Sequence, residues 1–224
     1  HAAANNTSDT AKRAGIVAKP LKNVSVYYGY ATMFQATSAT TIDINGNRLP
    51  NRLGEGNEVG VKGSFFDGKL AATVDYYWLE LSNIPVPSGL RNSSGVGYYI
   101  LSPSRKYTGY EADLQFQLTK NWQLTAVAWT GETLDSDGKR ASNTLNDSAG
   151  FFTRYNFTEG VLKKFNVGGG MYWSGNRYFR GGQSFDAYSV ANVFVGYKVN
   201  DNLSYTLRVN NVFDEQYIAG AWST

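Results

Sequence analysis

Cysteine is absent from the 224-residue chain, and histidine occurs once, at His1. A chain without cysteine forms neither a disulfide framework nor a thiolate metal site. A single histidine also excludes histidine-based catalytic triads and multi-histidine metal centres. The sequence therefore predicts no catalytic residues and no metal held by the protein itself.

Charged residues are also scarce, at 17% of the chain, against about 25% in soluble domains. The net charge of +3 gives no case for nucleic-acid binding, which needs clustered basic residues. No run of about 18 apolar residues is present, so the sequence excludes a membrane-spanning helix. A spanning β-barrel stays open, because alternating side chains hide the apolar face of each strand from averaged hydropathy.

Aromatic residues reach 15%, and 24 glycines accompany only two methionines, which is an all-β profile. The stretch EVGVKGSFFDGKLAATVDYYW, from Glu58 to Trp78, has two alternating runs around a turn that contains Asp67-Gly68. Hairpin turns favour this dipeptide. Because side chains alternate along a strand, the predicted hairpin has one apolar face and one polar face.

The same hairpin pattern repeats along the chain and predicts ten antiparallel strands. We place them at about residues 11–18, 23–34, 56–66, 69–83, 107–118, 122–131, 148–157, 165–174, 187–198 and 203–213. Short connections alternate with long ones, which cover residues 35–54, 84–106, 131–147 and 174–186. This alternation is typical of outer-membrane barrels, which have short periplasmic turns and longer outer loops.

The two faces of the predicted strands differ in charge. One face collects apolar side chains such as Val61, Val74 and Phe151 and carries no charge. The other face holds the charged strand residues Glu58, Lys62, Asp75, Glu111, Asp113, Arg154, Lys198 and Arg208. A charge at the bilayer midplane of a barrel costs about 2–4 kcal/mol, so a face without charges indicates lipid contact. On these features alone, a soluble β-sandwich or solenoid is the alternative.

Five segments together resemble the barrel of TonB-dependent outer-membrane receptors, especially the siderophore receptors. They are Arg13–Gln35, Glu55–Ile84, Tyr107–Thr125, Phe165–Gly175 and Leu207–Ile218. The most specific pieces are Glu-x-Gly-x-Lys-Gly at residues 58–63 and Asn-Val-Phe-Asp-x-x-Tyr at residues 211–217. The Gly-Tyr-Glu sequence at residues 109–111 supports them.

The resemblance implies an antiparallel transmembrane β-barrel of 22 strands, closed by an N-terminal plug. Residues 1–224 would supply about ten of these strands, the C-terminal portion of the barrel, without the plug, the first barrel half or the last strand. The implied function is TonB-energised uptake of a scarce nutrient, a ferric siderophore above all, across the bacterial outer membrane. Iron would then belong to the cargo, so we expect no cofactor and no enzyme activity.

The resemblance also suggests where partners bind. The TonB complex would act through the plug region, and outer-membrane lipid and lipopolysaccharide would surround the barrel. We predict cargo contacts in the outer loops at Arg177, Tyr178, Phe179, Arg180, Arg91, Tyr98, Tyr99 and Arg105, because guanidinium groups and aromatic rings suit an anionic iron chelate. We predict plug contacts in the lumen at Glu58, Lys62, Asp75, Glu111, Asp113, Arg154 and Arg208.

Gly168-Gly169-Gly170 is not expected to bind phosphate, because neither Gly-Lys-Ser/Thr nor the start of a helix follows it. Gly168 and Gly170 are instead expected to leave room for the plug. Two other functions stay open at this point. A small, self-closing outer-membrane barrel, adhesin-like, would require residues 11–18 and 203–213 to pair. A passive porin would need no energy coupling.

Overall fold

Ten long strands form one antiparallel sheet in the computed structural model, which describes residues 10–179 and 183–218, with the side chain of Pro103 left undescribed. The strands of the chain are β1 (Arg13–Leu21), β2 (Val24–Gln35), β3 (Arg52–Phe65), β4 (Leu70–Arg91), β5 (Gly97–Thr119), β6 (Trp122–Asp135), β7 (Thr144–Leu145), β8 (Asp147–Asn156), β9 (Phe165–Ser174), β10 (Arg177–Tyr178), β11 (Ser184–Phe185), β12 (Tyr188–Lys198) and β13 (Ser204–Val209). In the described ranges, no helix is long and apolar enough to cross a membrane.

Each long strand pairs with its neighbours in sequence, so the main sheet has the order β1-β2-β3-β4-β5-β6-β8-β9-β12-β13. The ten predicted strands are confirmed. Most of the predicted strand ends lie within a few residues of the observed ends. In this sheet β1 and β13 are the two edge strands, and neither pairs with the other. Residues 11–18 and 203–213 are therefore not neighbours, as a self-closing ten-stranded barrel would require.

The register places the two predicted faces on opposite sides of the sheet. Val61 pairs with Val26 on one side and with Val74 on the other, and these side chains share the apolar face. Asp75 pairs with Glu111 on the polar face. On the apolar face, Val74 is 55% exposed and Phe151 is 49% exposed, so this face has no protein partner among the described residues.

The predicted long loop at residues 84–106 is wrong over most of its length. β4 continues to Arg91 and β5 begins at Gly97, so the two strands form a projecting hairpin. Proline normally argues against a strand interior. Pro85 and Pro87 are tolerated because β3 pairs with β4 only up to Ser82, which leaves β4 an open edge beyond that point.

The loops at the same end of the sheet contain structure that the sequence did not predict. A three-stranded sheet with the order β11-β10-β7 connects the loop after β6 to the loop after β9. The loop between β2 and β3 packs against the projecting hairpin, where the Tyr99 amide donates to the Ile42 carbonyl at 2.9 Å. The long connections are therefore held in place by backbone hydrogen bonds.

Candidate functional site

The small three-stranded sheet presents one of the two predicted cargo clusters. Arg177 pairs with Leu145 and with Phe185, and this pairing fixes the backbone position of the next residue, Tyr178. The guanidinium carbon of Arg140 lies 5.1 Å from the centre of the Tyr178 ring, and the Phe179 ring meets Phe185 edge-on at 4.7 Å. Such a cation–π contact adds about 0.5–1 kcal/mol at an exposed site.

Arg177 is engaged with its own loops. Its Nη1 donates to both the carbonyl and the side-chain Oδ1 of Asn143, each at 3.3 Å, and its Nε is buried without a hydrogen-bond partner among the described residues. In this arrangement the side chain joins the two loops and leaves only part of the guanidinium for cargo. Arg180 lies outside the described residues. The role of the whole cluster in cargo binding stays a prediction.

The second predicted cluster lies on the projecting hairpin. Arg91 donates from Nη1 to the Gly95 carbonyl at the hairpin tip, at 2.8 Å. Tyr98 and Tyr99 follow on the opposite strand, where the Tyr98 carbonyl accepts from Ser88. No hydrogen bond or ring contact among the described side chains joins this cluster to the first.

Arg105 is distinct from the other predicted cargo residues because it has a carboxylate partner. Its Nε donates to Oδ1 of Asp135 at 2.8 Å, and both side chains are less than one-third exposed. Burial lowers the pKa of Arg105, but the hydrogen bond and the charge of Asp135 outweigh burial, so the net pKa lies above its ordinary value. The pair fastens the base of the projecting hairpin to the end of β6.

The polar face divides into two zones of different chemistry. The first, which we call the acidic zone, lies on β2 to β5. It comprises Tyr27, Glu58, Lys62, Asp75, Glu111 and Asp113. A depression of about 670 Å³ beside it is lined by Glu58, Asp75 and Glu111, with Arg13 on the edge strand β1.

The acidic zone has more carboxylates than cations. Asp75 is only 7% exposed and pairs with Glu111 on β5, so two carboxylates stand side by side in the sheet. The Tyr27 hydroxyl donates to Glu58, and the Lys62 ammonium lies 4.4 Å from the centre of the Tyr27 ring. No salt bridge among the described residues includes any of the seven predicted lumen charges. A buried or crowded carboxylate needs a cation or hydrogen-bond donors to compensate its charge. The acidic zone therefore lacks some of the partners that its carboxylates need.

The second zone, which we call the aromatic–arginine zone, lies on β8 to β13. It comprises Phe152, Arg154, Tyr172, Asn192, Phe194 and Arg208. The Phe152 and Phe194 rings stack at 5.7 Å with 7° between their planes. A depression of about 320 Å³ is lined by these rings together with Tyr172, Asn192 and Arg208.

The charges of the polar face are predicted from the sequence, but most of its aromatic rings are not. Phe152, Tyr172 and Phe194 share a face with Arg154 and Arg208, as do Tyr27 and Trp129 with the carboxylates. Strict alternation contained the signal, since the neighbours Phe151 and Phe152 must point to opposite faces. Arg140 was also missed, because the loop that carries it had no predicted structure.

Comparison with known proteins agrees with this architecture. A family model described as "TonB dependent receptor-like, beta-barrel" matches residues 1–212. The chain is 30% identical over 209 residues to the ferripyoverdine receptor of Pseudomonas aeruginosa, covering 86% of the chain and 25% of that protein. It is 28% identical over 215 residues to the ferric-pyoverdine 358 receptor of Pseudomonas putida, covering 92% of the chain and 26% of that protein.

A solved structure shows the same similarity in three dimensions. The crystal structure of the Pseudomonas aeruginosa ferripyoverdine receptor, bound to ferripyoverdine, superposes with a TM-score of 0.75 at 28% identity. The match covers 92% of this chain and 29% of the receptor. The chain thus spans about a quarter to three-tenths of the length of these relatives, whose names describe receptors and not enzymes.

Proposed function

The chain belongs to the TonB-dependent receptor family, whose β-barrel model matches residues 1–212, and we propose that it is part of an outer-membrane receptor for TonB-energised uptake of a ferric siderophore. Its ten long strands would be consecutive strands in the C-terminal portion of a 22-stranded barrel. The relatives support this assignment, since they are named as receptors for ferripyoverdine and ferric pyoverdine.

The observation that carries the proposal is the two-faced sheet. The apolar face exposes large side chains without any charge, as contact with lipid requires. The polar face carries all of the predicted lumen charges and would line the barrel interior. Because β1 and β13 have unpaired edges and lipid cannot satisfy them, each would pair with a further strand of a larger barrel.

The lumen charges are proposed to contact a plug. Glu58, Asp75, Glu111 and Asp113 leave the acidic zone short of cations, so a plug surface with Lys or Arg side chains would complement it. A charge-assisted hydrogen bond to a carboxylate is about twice as strong as a neutral one. Coupling through TonB would then alter these contacts when the plug moves, which is how an energised receptor differs from a passive porin.

The cargo is proposed to bind at the outer rim, on the ring surfaces of Tyr178 and Phe179 and near the guanidinium groups of Arg140 and Arg177. An iron chelate with negative charge and aromatic or amide groups would suit these side chains. Iron would arrive as part of the chelate, so the receptor itself would hold no resident metal ion and perform no chemical step.

The test is uptake of radio-iron from ferric siderophores by cells that carry the complete receptor as their only receptor of this class. We expect saturable uptake that is lost in a strain without TonB. Uptake that continues without TonB would support a porin instead. Tyr178→Leu should weaken chelate binding at least tenfold. Lys139→Gln, in the neighbouring loop after β6 and in an exposed ion pair with Asp137, should leave binding unchanged within about twofold.

A further inference from the structure

A groove of about 610 Å³ lies on the apolar face of the main sheet, near the end with the short turns. Its lining comes from the adjacent strands β6, β8, β9 and β12. Trp122 and Tyr155 form one wall and Val193 forms the other, with Gly169 on the strand between them. The groove is therefore a defined depression in a face that has no protein partner among the described residues.

The lining of the groove suits a hydrocarbon chain. Trp122 is 43% exposed and Val193 is 46% exposed, so a ligand can reach both walls. The Nε1 of Trp122 donates to the Thr153 hydroxyl at 2.7 Å, and this hydroxyl donates to the Gln123 carbonyl at 3.0 Å. Because these polar groups are already satisfied within the sheet, they do not require a polar ligand, and the walls offer dispersion contacts.

Lysines are grouped at the short turns beside this groove. We call them the lysine row, which comprises Lys120, Lys163, Lys164 and Lys198. Backbone hydrogen bonds hold their turns side by side, since the Asn156 amide donates to the Asn121 carbonyl and the Lys198 amide donates to the Lys164 carbonyl, both at 2.9 Å. The row therefore follows the rim of the sheet along the same strands that line the groove.

The lysine row has an excess of positive charge. The same turns contain only two carboxylates, Glu159 and Asp201, against its four ammonium groups. Lys198 pairs with Asp201 at 2.8 Å. Lys120 and Lys163 are exposed, and their side chains form no hydrogen bond or ion pair within the part of the chain that the structure describes. At least two cations are thus available to an anionic group at this rim.

We propose that the groove and the lysine row together bind one anionic phospholipid, with an acyl chain in the groove and the phosphate beside the ammonium groups. The proposal rests on the proposed function, because the apolar face would then lie in the outer membrane with its short turns at the inner leaflet. Charge complementarity favours an anionic headgroup, since lysines near a membrane surface attract anionic lipids. An ethanolamine headgroup would instead bring its own cation towards the row.

The spacing between the lysine row and the groove matches the depth of one leaflet. Gly169 follows Lys164 by five residues on β9, which is about 16 Å along the strand. Strands of such barrels tilt by about 40°, so this is about 12 Å along the membrane normal, or half of the apolar band of about 25 Å. Between the two levels, the Phe165 and Tyr197 rings lie 4.6 Å apart, at the depth where aromatic side chains meet headgroups.

The experiment is native mass spectrometry of the folded, heat-modifiable full-length receptor in detergent, titrated with phosphatidylglycerol or with phosphatidylethanolamine of the same acyl chains. We expect one phosphatidylglycerol molecule to bind at least fivefold more tightly than phosphatidylethanolamine. The double variant Lys120→Gln, Lys163→Gln should weaken phosphatidylglycerol binding at least fivefold, which is about the contribution of one lysine near an anionic surface. The matched control is Lys19→Gln, Lys22→Gln, which removes two charges at the β1–β2 turn of the same rim and should change binding less than twofold.

Filling the groove adds an independent arm. Val193→Trp places an indole in the groove and should weaken phosphatidylglycerol binding at least fivefold. Val74→Trp, at an exposed position of the same face on β4, should leave binding within twofold. Equal affinities for the two phospholipids, equal losses in a variant and its control, or tighter binding of lipid A than of phosphatidylglycerol would overturn the proposal. A receptor that binds phosphatidylglycerol as expected but takes up no ferric chelate would refute the proposed function alone.

Discussion

The acidic zone and the aromatic–arginine zone lie on the same face of the same sheet, yet they are built differently. In the acidic zone, Tyr27 donates to Glu58 and its ring contacts Lys62, so polar side chains hold one another in place. In the aromatic–arginine zone, the glycines of β9 let rings from two flanking strands meet above the backbone. Alternation decides which face a residue is on, but the neighbours across the strands decide what that face can bind.

The two zones also differ in how they meet water. Asp75 is nearly buried within the acidic zone, whereas Arg208 is exposed at the edge of the aromatic–arginine zone. A carboxylate withdrawn from water depends on its immediate partners, and an exposed guanidinium does not. We therefore expect substitutions of polar groups to affect stability more in the acidic zone, and substitutions of glycines to affect it more in the aromatic–arginine zone.

Glycine substitutions should give the largest contrast. In Gly170→Ala, the new Cβ would lie 2.3 Å from the Phe151 carbonyl oxygen, which is backbone and cannot move without disturbing β8. We expect a loss of about 1–3 kcal/mol in the free energy of unfolding, measured by urea titration of the full-length receptor. In Gly60→Ala the nearest atoms to the Cβ would all belong to the Tyr27 side chain, at 2.6 Å, and a side chain can shift more easily than backbone, so the loss should be smaller.

Gly29→Ala is the matched control for both, because nothing lies within 4 Å of its added Cβ. Alanine is also favoured over glycine in a strand interior by about 0.5–1 kcal/mol, so this variant should be neutral or slightly more stable. The contrast between the zones would be refuted if Gly60→Ala proved as costly as Gly170→Ala.

Removal of a single hydroxyl group should destabilise the protein more in the acidic zone than in the aromatic–arginine zone. This is the reverse of the order expected for the glycine substitutions. Tyr27→Phe deletes the donor to the Glu58 carboxylate, and we expect a loss of about 1 kcal/mol in the same titration. Tyr172→Phe deletes a hydroxyl for which no hydrogen bond within the described residues is recorded, so its effect should be close to zero. Equal losses in the two variants would mean that the Tyr27 hydroxyl does not stabilise the acidic zone.

These contrasts rest on features that were only partly predictable from the sequence. The ten strands and the uncharged face follow from period-2 alternation, which local residues determine. The projecting hairpin could not be predicted from alternation, because Pro85 and Pro87 argue against a strand unless one knows that β4 has an open edge there. Pairing of Arg177 with Leu145 and Phe185 joins two separate loops, and alternation within one strand contains no information about such contacts.

The charged residues of the polar face could likewise be predicted, but their partners could not. Alternation alone predicts that Glu58 and Asp75 lie on the polar face. The hydrogen bond between Tyr27 and Glu58 depends on the β2–β3 register. The contact between Phe152 and Phe194 depends on the strand between them, which has glycines at two specific positions. Cross-strand pairs determine the chemistry of a face, and register is the information that a single strand lacks.

The smallest expected effect comes from a test that distinguishes the role of the Tyr27 ring from that of its hydroxyl group. Lys62→Met removes a cation that lies 4.4 Å from the ring centre, which should cost about 0.5–1 kcal/mol of unfolding free energy. The ring persists in Tyr27→Phe, so Lys62→Met should cost the same in that background. The ring is lost in Tyr27→Leu, so the part of the cost that comes from the ring contact should disappear there. An equal cost in all three backgrounds would show that Lys62 stabilises the acidic zone through its carboxylates and not through the Tyr27 ring.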